Sequence, residues 1–207
     1  MALTSNWGIF VRHFWGEYIR HRHVPAFYAS LSEPTPAQLA LRLLILTGVR
    51  SGALRRLRLE HVEGDTWTIP AELVKGRKGK TEAFRVPLSL EAQAVIEQAK
   101  PFARNGLLFA GAGAKPISDM TLTALMKRRG LEARPHGFRS SLRNWLAETT
   151  DAPFEVAEAM LGHATGNKVQ RAYLRTDFLE QRRVLAERWA DFVTGGTGEV
   201  VRLVGAA

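Results

Sequence analysis

Residues 37–46 form a nearly unbroken apolar run, interrupted by Gln38 and Arg42, with Thr35 and Pro36 ahead of it and Gly48 behind it. Threonine caps helix starts, proline is preset for the first helical position, and glycine favours the left-handed conformation that ends a helix. The spacing predicts a strongly apolar helix, and such a helix needs a core around it. The composition supplies one: of 207 residues, 45% are hydrophobic and 24% charged, ordinary values for a globular chain. At about 150 residues per domain, this is one domain, with room for an appendage. No apolar run approaches the roughly 18 residues that span a membrane, and no charged-then-apolar signal pattern opens the sequence. Cysteine is absent, which excludes disulfide scaffolds, thiol catalysis and Cys-rich zinc sites and fits a cytoplasmic protein. The formal net charge of +9 makes a polyanion the first partner to consider, nucleic acid ahead of anionic lipid.

The remaining organisation follows from local patterns. Trp7, Phe10, Phe14, Trp15, Tyr18, Phe27 and Tyr28 are interleaved with Arg12, His13, Arg20, His21, Arg22 and His23. No further ligand accompanies the His21/His23 pair at metal spacing, so a solvated basic helix face is the expectation, with no metal. A second short helix is expected over 50–57. Strands are expected at Thr66-Trp67-Thr68-Ile69 and at 84–88, around a basic turn at 76–80, with a brief strand at 107–109. Further helices are expected over 89–100, 118–129, 136–149, 153–161 and 177–193, the last with Asp177 and Glu180 as a capping box. The fold class is therefore α+β, mainly helical with one small antiparallel sheet. The expected division is a leader at 1–23, a domain at 24–193 and a loose Gly-rich tail at 194–207.

Four short segments carry polar groups at helix corners: Thr47-Gly48-Val49-Arg50, His136-Gly137-Phe138-Arg139, Leu161-Gly162-His163, and the segment ending in Tyr173. Each has an ordinary reading. An arginine near a helix start is commonly a solvated charge, a His-x-x-Arg pair arises by chance, and a histidine after glycine can simply face a helix dipole. An amphipathic-helix tyrosine commonly sits half-buried with its hydroxyl wet. Their shared order is harder to dismiss.

In that order, with a lysine near a hairpin, the chain resembles the catalytic domain of tyrosine recombinases (phage-type integrases) over residues 24–192. Ile69-Pro70-Ala71-Glu72, Arg85-Val86-Pro87-Leu88-Ser89, Gly166-Asn167-Lys168-Val169 and the ten-residue step from His163 to Tyr173 resemble the branch found in prophages and genomic islands. The resemblance implies a bacterial or phage-encoded site-specific DNA recombinase. It would cleave and rejoin duplex DNA through a 3′-phosphotyrosine, without metal, cofactor or ATP, as a tetramer on DNA and a monomer when free. Tyr173 would be the nucleophile, and its phenol, with a pKa near 10, is a better leaving group than a sugar hydroxyl when the step reverses. Arg50 and Arg139 would neutralise the non-bridging oxygens, a contribution of about 3 kcal/mol per donor. His136 would take the phenol proton, and His163 would donate a hydrogen bond to the phosphoryl group. The general acid would be a hairpin lysine: Lys75 when counted outward from Ile69-Pro70, Lys78 or Lys80 when counted back from Val86-Pro87. Lys75 is preferred, leaving Arg77, Lys78 and Lys80 to contact the DNA backbone.

Two departures stand out. Relatives carry an acidic residue three positions after the first arginine, where this chain has Ala53; Glu60 is a possible substitute. The residues before 24 are also too few for the core-binding domain that integrases place there, suggesting an excised domain or a reduced recombinase. The helix after Asp177 either docks on a neighbouring protomer or packs on its own core. Other readings are a catalytically silent DNA-binding protein of the same fold and a monomeric type IB topoisomerase-like enzyme.

Overall fold

The computed structural model describes residues 19–76, 81–163 and 176–195. The apolar run becomes helix α2 (Pro36–Thr47), after a one-turn His21–His23 segment and α1 (Val24–Ala29). The expected signals act where they stand: Thr35 Oγ1 accepts the Gln38 N–H at 3.4 Å, and Gly48 closes the helix at φ +60°. Leu39, Leu41, Leu43 and Ile45 are completely buried. A helix buried on nearly every side must be surrounded. It packs against α4 (Leu90–Ala99), α5 (Met120–Arg128), α6 (Gly137–Thr149) and α8 (Leu179–Thr194).

Between α2 and α4 in the chain lie α3 (Ser51–Leu54) and a three-stranded antiparallel sheet. Strands β1 (Val62–Glu63), β2 (Thr66–Ile69) and β3 (Phe84–Pro87) pair in sequence order, with Val62 opposite Trp67 and Trp67 opposite Val86. Trp67, Ile69 and Val86 face the core while Thr68 and Arg85 face outward, the alternation of a one-sided sheet. Helix α7 (Phe154–Met160) completes the order.

Several expectations need correction. The second helix is only one turn: Arg50 is extended (ψ 140°) and serves as its N-cap, and beyond Leu54 the Arg56 and Leu57 N–H groups bond three residues back in tight turns. The 107–109 segment is no strand: it makes isolated bridges from Leu107 to Arg58 and Arg104, although Leu108 and Phe109 are wholly buried. The Asp177/Glu180 capping box does not form. Phe178, at φ +57°, occupies the cap position, and the Asp177 carboxylate is drawn to Arg85 and Arg182, while Glu180 pairs with Arg183. Arg182 is buried across the face of Phe84 and also donates to the Arg85 carbonyl at 2.7 Å. These bonds tie the start of α8 to β3.

Helix α8 packs on its own core. Leu185, Trp189 and Val193 are buried, Trp189 Nε1 donates to the Ile45 carbonyl of α2 at 2.8 Å, and Val184 remains exposed. Ile19, upstream of the expected boundary at residue 24, lies in the core, and its carbonyl accepts from Ser141 Oγ. The aromatics from Trp7 to Tyr18 and the tail from residue 196 lie outside the described residues. Among the described residues, no helix is long and apolar enough to cross a membrane.

Removing the Trp189 side chain would leave a large cavity beside Trp145 and strand the Ile45 carbonyl. Trp189→Ala should therefore lower stability by about 3–5 kcal/mol, measured by urea unfolding, with Trp189→Phe losing much less.

Candidate active site

One cleft of about 310 Å³ runs between the sheet and the ends of α2 and α7, lined by Arg50, Lys75, Phe84, Arg139, His163 and Asp177 among others. Three helix ends meet there. Gly48 turns the chain out of α2 in a conformation that glycine tolerates, and a Cβ at this position would lie 2.6 Å from Leu142 Cδ2. That turn delivers Arg50 to the rim, half-buried, and no side-chain hydrogen bond or ion pair holds its guanidinium among the described residues.

Arg139, in the first turn of α6, is buried and joins the corners. Its Nη1 donates to the Gly48 carbonyl and its Nη2 to the Leu161 carbonyl at 2.7 Å, while Nη2 also lies 3.1 Å from His163 Nε2. Among the described residues no carboxylate pairs with it. Burial and the neighbouring Arg50 charge push its pKa down to about 10, so it remains charged at neutral pH as an uncompensated cation in a partly dry site.

Helix α7 ends in a Schellman turn. Gly162 stands at φ +62°, its N–H bonds the Ala159 carbonyl, and the His163 N–H reaches back to the Glu158 carbonyl at 3.0 Å. This places the His163 ring over the Glu158 side chain, where Nδ1 and Oε2 are 2.7 Å apart. Arg143 Nε holds the other oxygen of Glu158 at 2.5 Å. Burial alone would raise the Glu158 pKa, but the bonds from His163 and Arg143 and their charges bring it below the usual range.

His136 sits at the α6 N-cap position, exposed. Partial desolvation lowers its pKa, reinforced by Arg139, Arg50, Lys75 and His163, so four cationic or potentially cationic groups lie within electrostatic reach of it. The structure thus brings together Arg50, Lys75, His136, Arg139 and His163. Tyr173, Arg77, Lys78 and Lys80 lie outside the described residues. Glu60 is not a substitute for the acid absent at Ala53: it is exposed and engages Arg58 at 2.8 Å, two residues away in the chain, and is not among the residues lining the cleft. Sequence reasoning missed Glu158, although an acid five residues before a histidine, with an intervening helix-ending glycine, is the spacing a Schellman turn brings together.

Residues 17–180 match the phage integrase family, and the chain belongs to that family. It is 35% identical over 179 residues to the prophage integrase IntA of Escherichia coli (strain K12), an alignment covering 84% of this chain and 42% of IntA. It spans less than half the length of the curated relatives it matches. Among solved structures, the XerA recombinase aligns with a TM-score of 0.56 at 16% identity, covering 80% of this chain and 63% of that one. A lambda integrase tetramer bound to a Holliday junction aligns with a TM-score of 0.54 at 17% identity, covering 73% and 48%. These likenesses establish the tyrosine recombinase catalytic-domain fold.

Because the proton on His136 is disfavoured in the folded state, its titration followed by NMR should have a midpoint below the free-histidine value. Arg50→Gln, by deleting one nearby cation, should move that midpoint upward. By the same linkage, any stability that His136 contributes is present above the unfolded value and is lost as pH falls through the folded one.

Proposed function

We propose that the chain is the catalytic domain of a site-specific DNA recombinase that cleaves and rejoins duplex DNA through a 3′-phosphotyrosine. The observation that carries this reading is the pair Arg50 and Arg139, two guanidiniums at one cleft with no anionic partner among the described residues. A backbone phosphate supplies the missing negative charge, and planar guanidinium forks match its non-bridging oxygens.

The other groups suit the remaining steps. Tyr173 attacks phosphorus in line, and its phenolic proton passes to His136, whose lowered pKa keeps the ring neutral near pH 7. As the phosphorus–O5′ bond breaks, Lys75 protonates the leaving 5′ oxygen, and Arg50, Arg139 and His163 stabilise charge on the equatorial oxygens. Attack by a 5′ hydroxyl from another strand reverses these transfers and releases the tyrosine. The linkage energy is held in the phosphotyrosine bond, so no ATP is consumed.

Lys75 is favoured as the acid because it borders the cleft and acts on His136. Arg77, Lys78 and Lys80 remain assigned to the DNA backbone. The partner is double-stranded DNA, with four protomers assembling on it from free monomers. The setting is the cytoplasm of a cell carrying a prophage or similar mobile element.

Nicked duplexes selected from a random pool for binding provide the test. The wild type should form a covalent protein–DNA adduct that survives denaturing electrophoresis, and Tyr173→Phe should bind the same DNA without forming it. Since the charge-neutralising groups are the protein's own cations, the adduct should persist in excess EDTA. Binding with no adduct under any condition would instead identify a silent DNA-binding protein of this fold.

A further inference from the structure

The side chains around His163 leave its ring a single hydrogen-bonding solution. Arginine has donors only, so His163 Nε2, at 3.1 Å from Arg139 Nη2, must accept and is bare. An ionised carboxylate has acceptors only, so Nδ1, at 2.7 Å from Glu158 Oε2, must carry the proton. Glu158 is itself held: its side chain is only 16% exposed, and its second oxygen is bound to Arg143. The result is a chain of charge-assisted bonds, Arg143–Glu158–His163–Arg139, running from α6 across the end of α7 and back to α6 at the cleft.

We propose that Glu158 is a positioning residue that fixes the His163 tautomer and ring orientation, so that Nε2 is the nitrogen presented to the DNA phosphate. The inference rests on the phosphoryl-transfer reading above. In the free protein Arg139 occupies Nε2. When a phosphate enters and takes the Arg139 donors, Nε2 is released, gains a proton from solvent, and donates to a non-bridging oxygen, while Nδ1–H stays on Glu158. Without the carboxylate the ring can turn over or adopt the other tautomer, and its Nε2 position is no longer set. The same logic operates where a carboxylate orients a metal-bound histidine through its second nitrogen.

Two-bond ¹⁵N–¹H spectra of histidine-labelled protein distinguish the protonated ring nitrogen from the bare one. The wild type should show His163 with its proton on Nδ1, and Glu158→Gln should shift the ring toward a mixture of tautomers. Adduct formation by Glu158→Gln should slow about tenfold or more while its affinity for the selected duplex is unchanged. Glu155→Gln, which removes an exposed carboxylate of α7 outside this chain of bonds, should cleave near the wild-type rate. A wild-type His163 protonated on Nε2 overturns the inference, as does a Glu158→Gln variant that cleaves normally. A Glu155→Gln defect as deep as that of Glu158→Gln also overturns it, since the charge or folding of α7 as a whole rather than tautomer control would then be responsible. A wild type that forms no adduct, yet shows the Nδ1–H tautomer, overturns the phosphoryl-transfer reading instead and leaves the orientation of His163 standing.

Discussion

A single buried guanidinium organises this molecule. Arg139 donates to the carbonyl that ends α2 and to the carbonyl at the end of α7, and it touches the histidine just beyond. Those carbonyls belong to helix ends, which leave backbone acceptors unpaired, so Arg139 satisfies groups that would otherwise be stranded inside the protein. Three segments far apart in sequence are thereby held at one point. The same bonds aim the remaining charge of the guanidinium into the cleft.

This arrangement sets stability against function. A cation removed from water without an anionic partner is unfavourable, and Arg50 beside it makes matters worse. The folded core bears that burden: α2 is enclosed by α4, α5, α6 and α8, and Trp189 locks α8 onto α2. On the proposed reading, an arriving phosphate would relieve this repulsion, so the free protein would hold electrostatic strain that phosphate binding releases. The Asp177 clamp works in the opposite sense. There Arg85 and Arg182 surround a carboxylate, burial opposes its ionisation, but hydrogen bonding to Arg85 and both positive charges hold its pKa below the usual range. One set of arginines is neutralised to fix the start of α8, and the other is left open.

What could be read from the sequence was whatever short-range chemistry decides. Thr35, Pro36 and Gly48 bound α2 because caps act over a few residues, and the apolar alternation in β2 and β3 shows which face is buried. The order of Arg50, His136, Arg139 and His163 was equally visible. What escaped was set by long-range partners. Asp177 has the spacing of a capping residue, but Arg85, far upstream, captures its carboxylate and Phe178 takes the cap in a left-handed turn. Residues 107–109 have the apolarity of a strand, but their neighbours are loops. Glu158 looks like an ordinary helix-surface acid until the turn at Gly162 folds His163 back over it. Glu60 was the wrong carboxylate because its nearest cation, Arg58, is local.

Charge neutralisation by Arg50 and Arg139 is the claim on which the chemistry depends, and Arg50 is the cleaner probe because no structural bond holds it among the described residues. The decisive measurement compares Arg50→Ala with wild type on two nicked duplexes, one normal and one with a methylphosphonate, which lacks the negative charge, at the scissile position. If Arg50 serves to neutralise phosphate charge, the substitution should slow cleavage of the normal duplex by about a hundredfold or more and that of the methylphosphonate far less. An equal loss on both substrates would contradict it.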